Sequence, residues 1–137
     1  MAEAVLYVDV VAADRRVWEG EAVSVIARTT EGDVGILPGH EPFLALLVPC
    51  AAEILTPDGL REIIAVDGGF LSVAENRVAI LSQYGSLARE IGLASAEKEL
   101  ASAEKALNEG DVDAATQQHY HRASAQVKAA RRAESLH

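Results

Sequence analysis

The fold is decided by residues 61–82, which read REIIAVDGGFLSVAENRVAILS. This stretch contains three apolar runs rich in β-branched residues, namely Arg61–Val66, Gly69–Val73 and Arg77–Ser82. Between them lie Asp67-Gly68 and Glu75-Asn76, residue types that tolerate the dihedral angles of tight turns. Short runs separated by such turns are typical of antiparallel β-strands joined as a meander.

The same pattern extends outward over most of the chain. Further candidate strands are Val5–Val11, Arg15–Trp18, Ala22–Thr30, Gly35–Leu37, Phe43–Val48 and Ala51–Thr56. Eight of the ten glycines and all four prolines fall before residue 86, where they separate these runs. The spacing of strands and turns predicts an N-terminal β-sandwich over residues 1–85.

From Leu93 onward the apolar period changes from 2 to about 3.5, which is typical of an amphipathic helix. The apolar stripe consists of Leu93, Ala96, Leu100, Ala103 and Leu107. Gly110 can end this helix, and Asp111 or Asp113 can cap a second one that runs from about Val112 to about Arg132. Residues 86–137 are therefore predicted to form an antiparallel two-helix hairpin. Because its apolar side chains are mostly alanine, we expect it to lean on another surface.

The composition of the chain limits the classes of protein to which it can belong. The chain has 137 residues, half of them hydrophobic, and a formal net charge of −9. That charge has the wrong sign for nucleic acid or anionic lipid, so neither a nucleic-acid partner nor direct lipid insertion is expected. The single Cys50 allows no internal disulfide. No apolar run is long enough to span a bilayer and residues 1–4 lack the basic residues of a signal peptide, so we expect a cytoplasmic chain.

Motifs for catalysis are missing from the sequence. It contains no phosphate-binding glycine loop, no GxSxG elbow and no HExxH zinc motif. His119 and His121 are two residues apart, so on a helix they point in different directions and favour no metal site. Cys50 is predicted to be a buried structural thiol. We expect no catalytic residue, no metal and no cofactor, and a protein that works through its surfaces.

Three segments together resemble a known family. They are EGDVGILPGHEPF (residues 31–43), VDGGFLSV (residues 66–73) and NRVAIL (residues 76–81). These segments closely resemble the epsilon subunit of bacterial F-type ATP synthases, and the resemblance extends from the first strand through the helical tail. It implies a ten-stranded β-sandwich followed by a helical hairpin.

The resemblance also implies a function and partners. Epsilon subunits belong to the central stalk of the rotary motor, where they bind the gamma subunit and the c-subunit ring during proton-coupled ATP synthesis. By this resemblance the chain is a non-catalytic, peripheral subunit at the cytoplasmic face of the bacterial membrane. Glu31, Asp33 and His40 are expected to face the c-ring. Phe43, Leu44 and Leu46 are candidates for the gamma-facing surface, although alternate positions of that strand are expected to fill the core.

The hairpin is expected to be regulatory. In the family its helices either fold onto the sandwich or extend toward the catalytic alpha and beta subunits, which restrains ATP hydrolysis. Residues 122–137 hold four basic residues and one acidic residue, so they suit an acidic receptor. These basic residues, the predicted inhibitory tail, are Arg122, Lys128, Arg131 and Arg132. The expected hinge lies at Gly85 and Gly92.

Nucleotide binding is not expected. Some family members bind ATP through a motif that begins with Ile or Leu and Asp, followed by two variable residues, Arg and Ala. The matching stretch here is residues 91–96, in which Gly92 replaces the acid and Ser95 replaces the arginine. Both side chains that would make charged hydrogen bonds to the nucleotide are therefore missing.

Two other interpretations explain parts of the sequence. A non-rotary adaptor made of a β-sandwich and a helical hairpin explains the fold and the missing catalytic motifs, but not the loop sequence of residues 31–43. A metal-dependent enzyme could use His40 and Glu41 with another carboxylate.

Overall fold

The computed structural model describes residues 4–136. Residues 1–3, which belong to the N-terminal segment considered above, and His137 lie outside the described residues. Within this range the chain forms ten β-strands, one 3-10 turn and two α-helices. The strands are β1 (Leu6–Val11), β2 (Arg16–Ala22), β3 (Ser24–Thr29), β4 (Gly32–Ile36), β5 (Phe43–Leu47), β6 (Cys50–Leu55), β7 (Arg61–Val66), β8 (Gly69–Ala74), β9 (Arg77–Leu81) and β10 (Gly85–Leu87). The 3-10 turn (Ala88–Glu90) leads to α1 (Leu93–Asn108) and α2 (Ala114–Ser135).

Hydrogen bonds link the strands in the order β10-β7-β6-β3-β5-β8-β9-β1-β2, with β4 added to β3. Among the pairings in residues 4–136, β1 and β9 are parallel and the others are antiparallel. β3 joins the two halves of the sheet, because it pairs with β6 through residues 24–26 and with β5 at Thr29. The predicted β-sandwich followed by a helical hairpin is confirmed.

The core follows from the period of the strands. In β1, Leu6, Val8 and Val10 are buried, whereas Tyr7 points to solvent. Side chains alternate across a strand, so each strand sends one set inward. The fully buried large side chains include Val25, Ile36, Ile54, Ile64, Leu71 and Ile80. They interdigitate between the two layers and make the sandwich a stiff body.

α2 lies between the sheet and α1, and it contacts β6, β7 and α1. Ala125 and Ala129 pack against Ile63 and Ala65 of β7 in a second apolar cluster. The other buried positions of α2 are Ala123, Val127 and Ala130, and those of α1 are Ala96 and Ala103. As expected from its alanine content, the hairpin uses the sandwich as its support.

The loop between the helices ends α1 at the predicted glycine. Gly110 adopts φ +94°, and its N–H donates to the Leu107 carbonyl oxygen (3.1 Å). The next N–H, of Asp111, donates to the Ala106 carbonyl oxygen (3.1 Å), which completes a Schellman motif. Asp113 occupies the N-cap position of α2 but its side chain makes no capping hydrogen bond. α2 spans Ala114–Ser135, whereas the prediction was about Val112 to about Arg132.

The largest differences between the structure and the strand prediction are at β2, β4 and β10. β2 continues to Ala22 rather than ending at Trp18, because its polar residues 19–21 stay in register with β1. β4 begins at Gly32, three residues before the predicted Gly35. The tenth strand was not visible in the residue pattern. It has only three residues and forms because it pairs with the edge of β7, which puts the end of the sheet at Leu87 rather than at residue 85.

Replacement of Gly69 should disrupt the β8–β9 pairing. Gly69 has φ +108°, and a Cβ built there lies 2.0 Å from the Leu81 carbonyl oxygen, an atom fixed by the backbone. We expect Gly69→Ala to lower the free energy of unfolding by at least about 3 kcal/mol, since dihedral strain adds to the clash. Urea denaturation followed by fluorescence of the single Trp18 measures this.

Gly59→Ala is the matched control. Gly59 has φ +89°, but a Cβ there meets no described atom within 4 Å. Only dihedral strain of about 1 to 2 kcal/mol should therefore be lost. Equal effects of the two substitutions would show that the contact at Leu81 is not what requires glycine at residue 69.

Candidate interaction surfaces

An exposed apolar face covers β5, β8 and β9. We call it the β5–β9 face, and its residues are Leu44 (72% exposed), Leu46 (52%), Phe70 (50%) and Leu81 (49%). Leu46 pairs with Phe70 across the strands, and Phe70 pairs with Leu81, so these three form one row. Contiguous exposed apolar surface of this kind marks interaction sites.

Side chains alternate between the two faces of β5, so the three gamma-facing candidates do not all point in the same direction. Leu44 and Leu46 point outward, whereas Phe43 is half-buried and packs against the main core. Phe70 and Leu81 join the face although sequence reasoning missed them. The signal that could have found them is the hairpin register, because outward positions of paired strands are neighbours.

The loop candidates Glu31, Asp33 and His40 are all exposed or half-exposed. Asp33 faces Arg28 across β3 and β4, and Arg28 donates two hydrogen bonds to its carboxylate (2.8 and 3.2 Å). The hydrogen bond from Arg28 holds the pKa of Asp33 below its usual value. Asp33 is therefore already paired within the sandwich.

Glu31 is held through its backbone N–H and His40 through its ring. The Glu31 N–H donates to Thr29 Oγ1 (3.1 Å), and within residues 4–136 its carboxylate makes no ion pair. His40 Nδ1–H donates to the Glu41 carbonyl oxygen (2.7 Å), and the His40 ring meets Phe43 edge to face. Of the two acidic candidates, Glu31 and Asp33, Glu31 is the one without an ion pair among the described residues.

Three of the four basic residues of the predicted inhibitory tail contact the sandwich. The Arg122 Nε donates to Asp67 Oδ2 (3.2 Å), and its guanidinium lies 5.6 Å from the centre of the Tyr84 ring. Lys128 Nζ donates to the Pro49 carbonyl oxygen (3.3 Å). Arg132 makes two hydrogen bonds to Glu53 (2.9 and 3.1 Å). In this arrangement the hairpin is folded onto the sandwich.

The fourth basic residue, Arg131, stays within the hairpin. It pairs with Glu97 of α1 at 3.5 Å. His119 makes a second pair between the helices, with 2.7 Å between its Nε2 and the Glu99 carboxylate. These contacts link α1 to α2 and leave the sandwich contacts to the other three basic residues.

The two hinge candidates lie in different surroundings. Gly85 is buried at the start of β10, pairs with Val66, and its carbonyl oxygen accepts a hydrogen bond from Arg15 (3.2 Å). Gly92 is exposed and directly precedes α1, with φ −83°. Between them Arg89 is tied to Glu62 (2.6 Å), so the chain is fixed to the sheet almost to Gly92.

The stretch that corresponds to the nucleotide motif lines a cleft of about 250 Å³. Its lining includes Gly92 and Ser95 together with two acids, Glu90 and Glu99. Two arginines, Arg89 and Arg122, could take the place of the missing motif arginine. Both are engaged elsewhere, Arg89 with Glu62 and Arg122 with Asp67. No Lys or Arg side chain of residues 4–136 lines this cleft, so a nucleotide phosphate finds no counter-charge in it.

Metal and thiol candidates give no further site. In the part of the chain that the structure describes, no group of three or more His, Cys, Asp or Glu side chains could hold a metal ion. Burial raises the pKa of the Cys50 thiol above its usual value, which keeps it protonated and unreactive. Over residues 4–136, no helix is long and apolar enough to cross a bilayer.

Comparison with known proteins defines the class. Residues 5–85 match the sequence model of the family described as ATP synthase, Delta/Epsilon chain, beta-sandwich domain. A solved structure of the Euglena gracilis mitochondrial ATP synthase (OSCP/F1/c-ring) contains a chain with the same fold, with a TM-score of 0.75 and 23% identity over 100% of this chain and 84% of that chain. One from the central stalk and c-ring of Tetrahymena thermophila mitochondrial ATP synthase gives a TM-score of 0.59 and 14% identity over 97% and 98%.

Sequence relatives narrow the class further. The ATP synthase epsilon chain of Cutibacterium acnes is 52% identical over 76% of this chain and 72% of its own length. That of Streptomyces avermitilis is 49% identical over 80% and 86%. The chain belongs to the family of ATP synthase epsilon chains.

The cleft geometry predicts that this chain does not bind ATP. Each missing charged hydrogen bond is worth roughly 1.5 to 3 kcal/mol, so losing two weakens binding by two to four powers of ten. Titration calorimetry with Mg-ATP should show no saturable binding at millimolar nucleotide. Gly92→Asp combined with Ser95→Arg tests whether the motif can be restored, and a micromolar dissociation constant for the unmodified chain would contradict the prediction.

Proposed function

We propose that this chain is a non-catalytic subunit of the central stalk, at the cytoplasmic face of the membrane, and that it joins gamma to the c-ring. The observation that carries the proposal is the β5–β9 face, an exposed apolar surface on a stiff sandwich. Torque transfer needs a body that does not deform, and a close-packed sandwich provides one.

The β5–β9 face is assigned to gamma. Leu46, Phe70 and Leu81 form an apolar row that suits the desolvated centre of a stable interface. Phe43 supports this surface from the core side. The loop end of the sandwich is assigned to the c-ring. Because Arg28 already pairs with Asp33, Glu31 takes the leading role toward basic groups of the ring. His40 lies at the opposite end of β4 and β5, where the neighbouring Gly39 N–H donates to Asn76 Oδ1, so it is a separate candidate for this contact.

The hairpin is assigned to regulation of ATP hydrolysis. It rests on the sandwich through alanines, which bury little area, and through side-chain charges at its surface. A contact of this composition can open without unfolding the sandwich. Once open, α2 offers Arg122, Lys128, Arg131 and Arg132 to the alpha and beta subunits, and Gly92 is the position where the chain can turn.

Substitutions on the β5–β9 face should weaken gamma binding. Each large apolar side chain buried at an interface contributes about 1.5 to 3 kcal/mol, so Leu46→Ser with Phe70→Ser should raise the dissociation constant at least about 100-fold. Biolayer interferometry with immobilised gamma measures this. Leu60→Ser is the control, since Leu60 is 62% exposed but lies on the β6–β7 turn. Equal affinity of the double variant and the parent would show that gamma does not bind this face.

Removal of a tail charge should relieve inhibition. Arg131 is the basic residue of the tail that pairs within the hairpin and not with the sandwich, so Arg131→Ala removes a tail charge without releasing α2. An exposed ion pair contributes up to about 1 kcal/mol, so this change should lower occupancy of the inhibited state up to about fivefold and raise ATP hydrolysis by the assembled complex. Added salt should do the same in the parent, because the Debye length falls below about 8 Å. Lys98→Ala with Lys105→Ala is the control on α1. Hydrolysis that responds to neither charge removal nor salt would contradict this role.

A further inference from the structure

Asp67 is an acidic side chain held almost out of solvent at the junction of three segments. It lies in the turn between β7 and β8, and its side chain is 6% exposed. It accepts hydrogen bonds from Ser82 Oγ (2.8 Å), from the Tyr84 N–H (3.1 Å) and from Arg122 Nε (3.2 Å). Two of these donors belong to the sandwich and its connector, and the third belongs to α2.

Tyr84 strengthens the same contact. The Arg122 guanidinium lies over its ring, and Gln126, one turn further along α2, donates to its hydroxyl group (2.7 Å). Neighbouring turns of α2 therefore contact Asp67 and Tyr84 together.

A second contact of this type lies near the other end of α2. Glu53 accepts two hydrogen bonds from Arg132, and its side chain is 15% exposed. Arg122 and Arg132 are ten residues apart, about 15 Å along a helix. Ala125 and Ala129 lie between these two arginines and make a weak apolar contact with the sheet. The ion pairs of Arg122 and Arg132 therefore flank this apolar contact on both sides.

Glu53 and Asp67 differ in whether they keep a cationic partner when α2 moves away from the sandwich. Glu53 also pairs with Arg61 of β7 (3.2 Å), so it keeps a cation after Arg132 departs. Asp67 would keep only the neutral donors Ser82 and Tyr84. Release of α2 would break the Asp67–Arg122 ion pair, the contact of the Arg122 guanidinium with the Tyr84 ring and the Gln126–Tyr84 hydrogen bond together, so the contacts around Asp67 oppose release more strongly.

We propose that Asp67 is the principal latch of the hairpin, with Glu53 as a second, weaker one. The Arg122 Nε–H cannot bond Asp67 and an acidic surface of another subunit at once, so the sandwich competes directly for the cation that the tail would present elsewhere. The balance between the two hairpin positions is then set by two sandwich carboxylates. This inference rests on the proposed function only for its effect on hydrolysis, because the latch itself belongs to the isolated chain.

Hydrogen–deuterium exchange of the full chain tests the latch. Asp67→Asn keeps an oxygen that can accept from Ser82 and Tyr84 but removes the charge that pairs with Arg122. Loss of one charge-assisted hydrogen bond corresponds to a factor of about 10 to 100. We expect amides of residues 122–132 to exchange faster by that factor, with unchanged exchange in β1, β8 and β9. Glu53→Gln should give a smaller change confined to the end of α2.

Asp9→Asn is the matched control. Asp9 also accepts two hydrogen bonds from one arginine, Arg16 (2.8 and 3.3 Å), but the pair lies on β1 and β2, away from α2. It should leave exchange in α2 unchanged. A double-mutant cycle adds a second check, because Asp67→Asn with Arg122→Gln should exchange no faster than the single variants if the two residues act as one contact.

Three results would overturn the latch. The first is α2 exchange in Asp67→Asn that equals that of the parent. The second is a double variant in which the effects of Asp67→Asn and Arg122→Gln simply add. The third is faster exchange in the sheet without change in α2, which would mean that Asp67 stabilises the sandwich alone. Hydrolysis by the assembled complex separates the latch from the proposed function. Faster α2 exchange with stronger inhibition supports both, whereas faster exchange with unchanged hydrolysis supports the latch and overturns the regulatory role.

Discussion

The outer face of β7 must be covered, and this constraint joins the two parts of the molecule. Ile64 and Val66 of β7 point into the main core, whereas Ile63 and Ala65 point the other way and are equally buried. A strand that is apolar on both faces cannot face water. Ala125 and Ala129 of α2 supply the cover. The placement of α2, and through it of α1, follows from this one strand.

The cover is made of small side chains, which decides how firmly it is held. Alanine removes little apolar area from water, so the contact by itself contributes much less than a leucine-rich interface would. Ion pairs and hydrogen bonds at both ends of α2 add the rest, and they are sensitive to competing charges. A stiff sandwich with a weakly held, charged hairpin fits the proposed division of roles, in which the sandwich transmits force and the hairpin regulates.

Particular elements show how far sequence reasoning reached. α1 was predicted to begin at Leu93 and to end before Gly110, and both features are confirmed, because helical period and a glycine C-cap are local signals. The resemblance implied ten strands, but the residue pattern did not locate β10, since its three residues carry no period and it exists only by pairing with β7. Leu44 and Leu46 were identified as candidates from one strand, but Phe70 and Leu81 complete the face through register alone. Asp67 was predicted only as part of a turn.

The sequence by itself determined where strands and helices form, which residues of each strand point inward, and the absence of known catalytic motifs. These properties depend on neighbours within a few residues, so local periodicity and turn chemistry are sufficient. Only the tertiary structure decided that Arg28 neutralises Asp33 and that Arg122 and Arg132 meet Asp67 and Glu53. The last two pairs join residues 55 and 79 positions apart, and only the packing of α2 on the sheet brings such distant charges together.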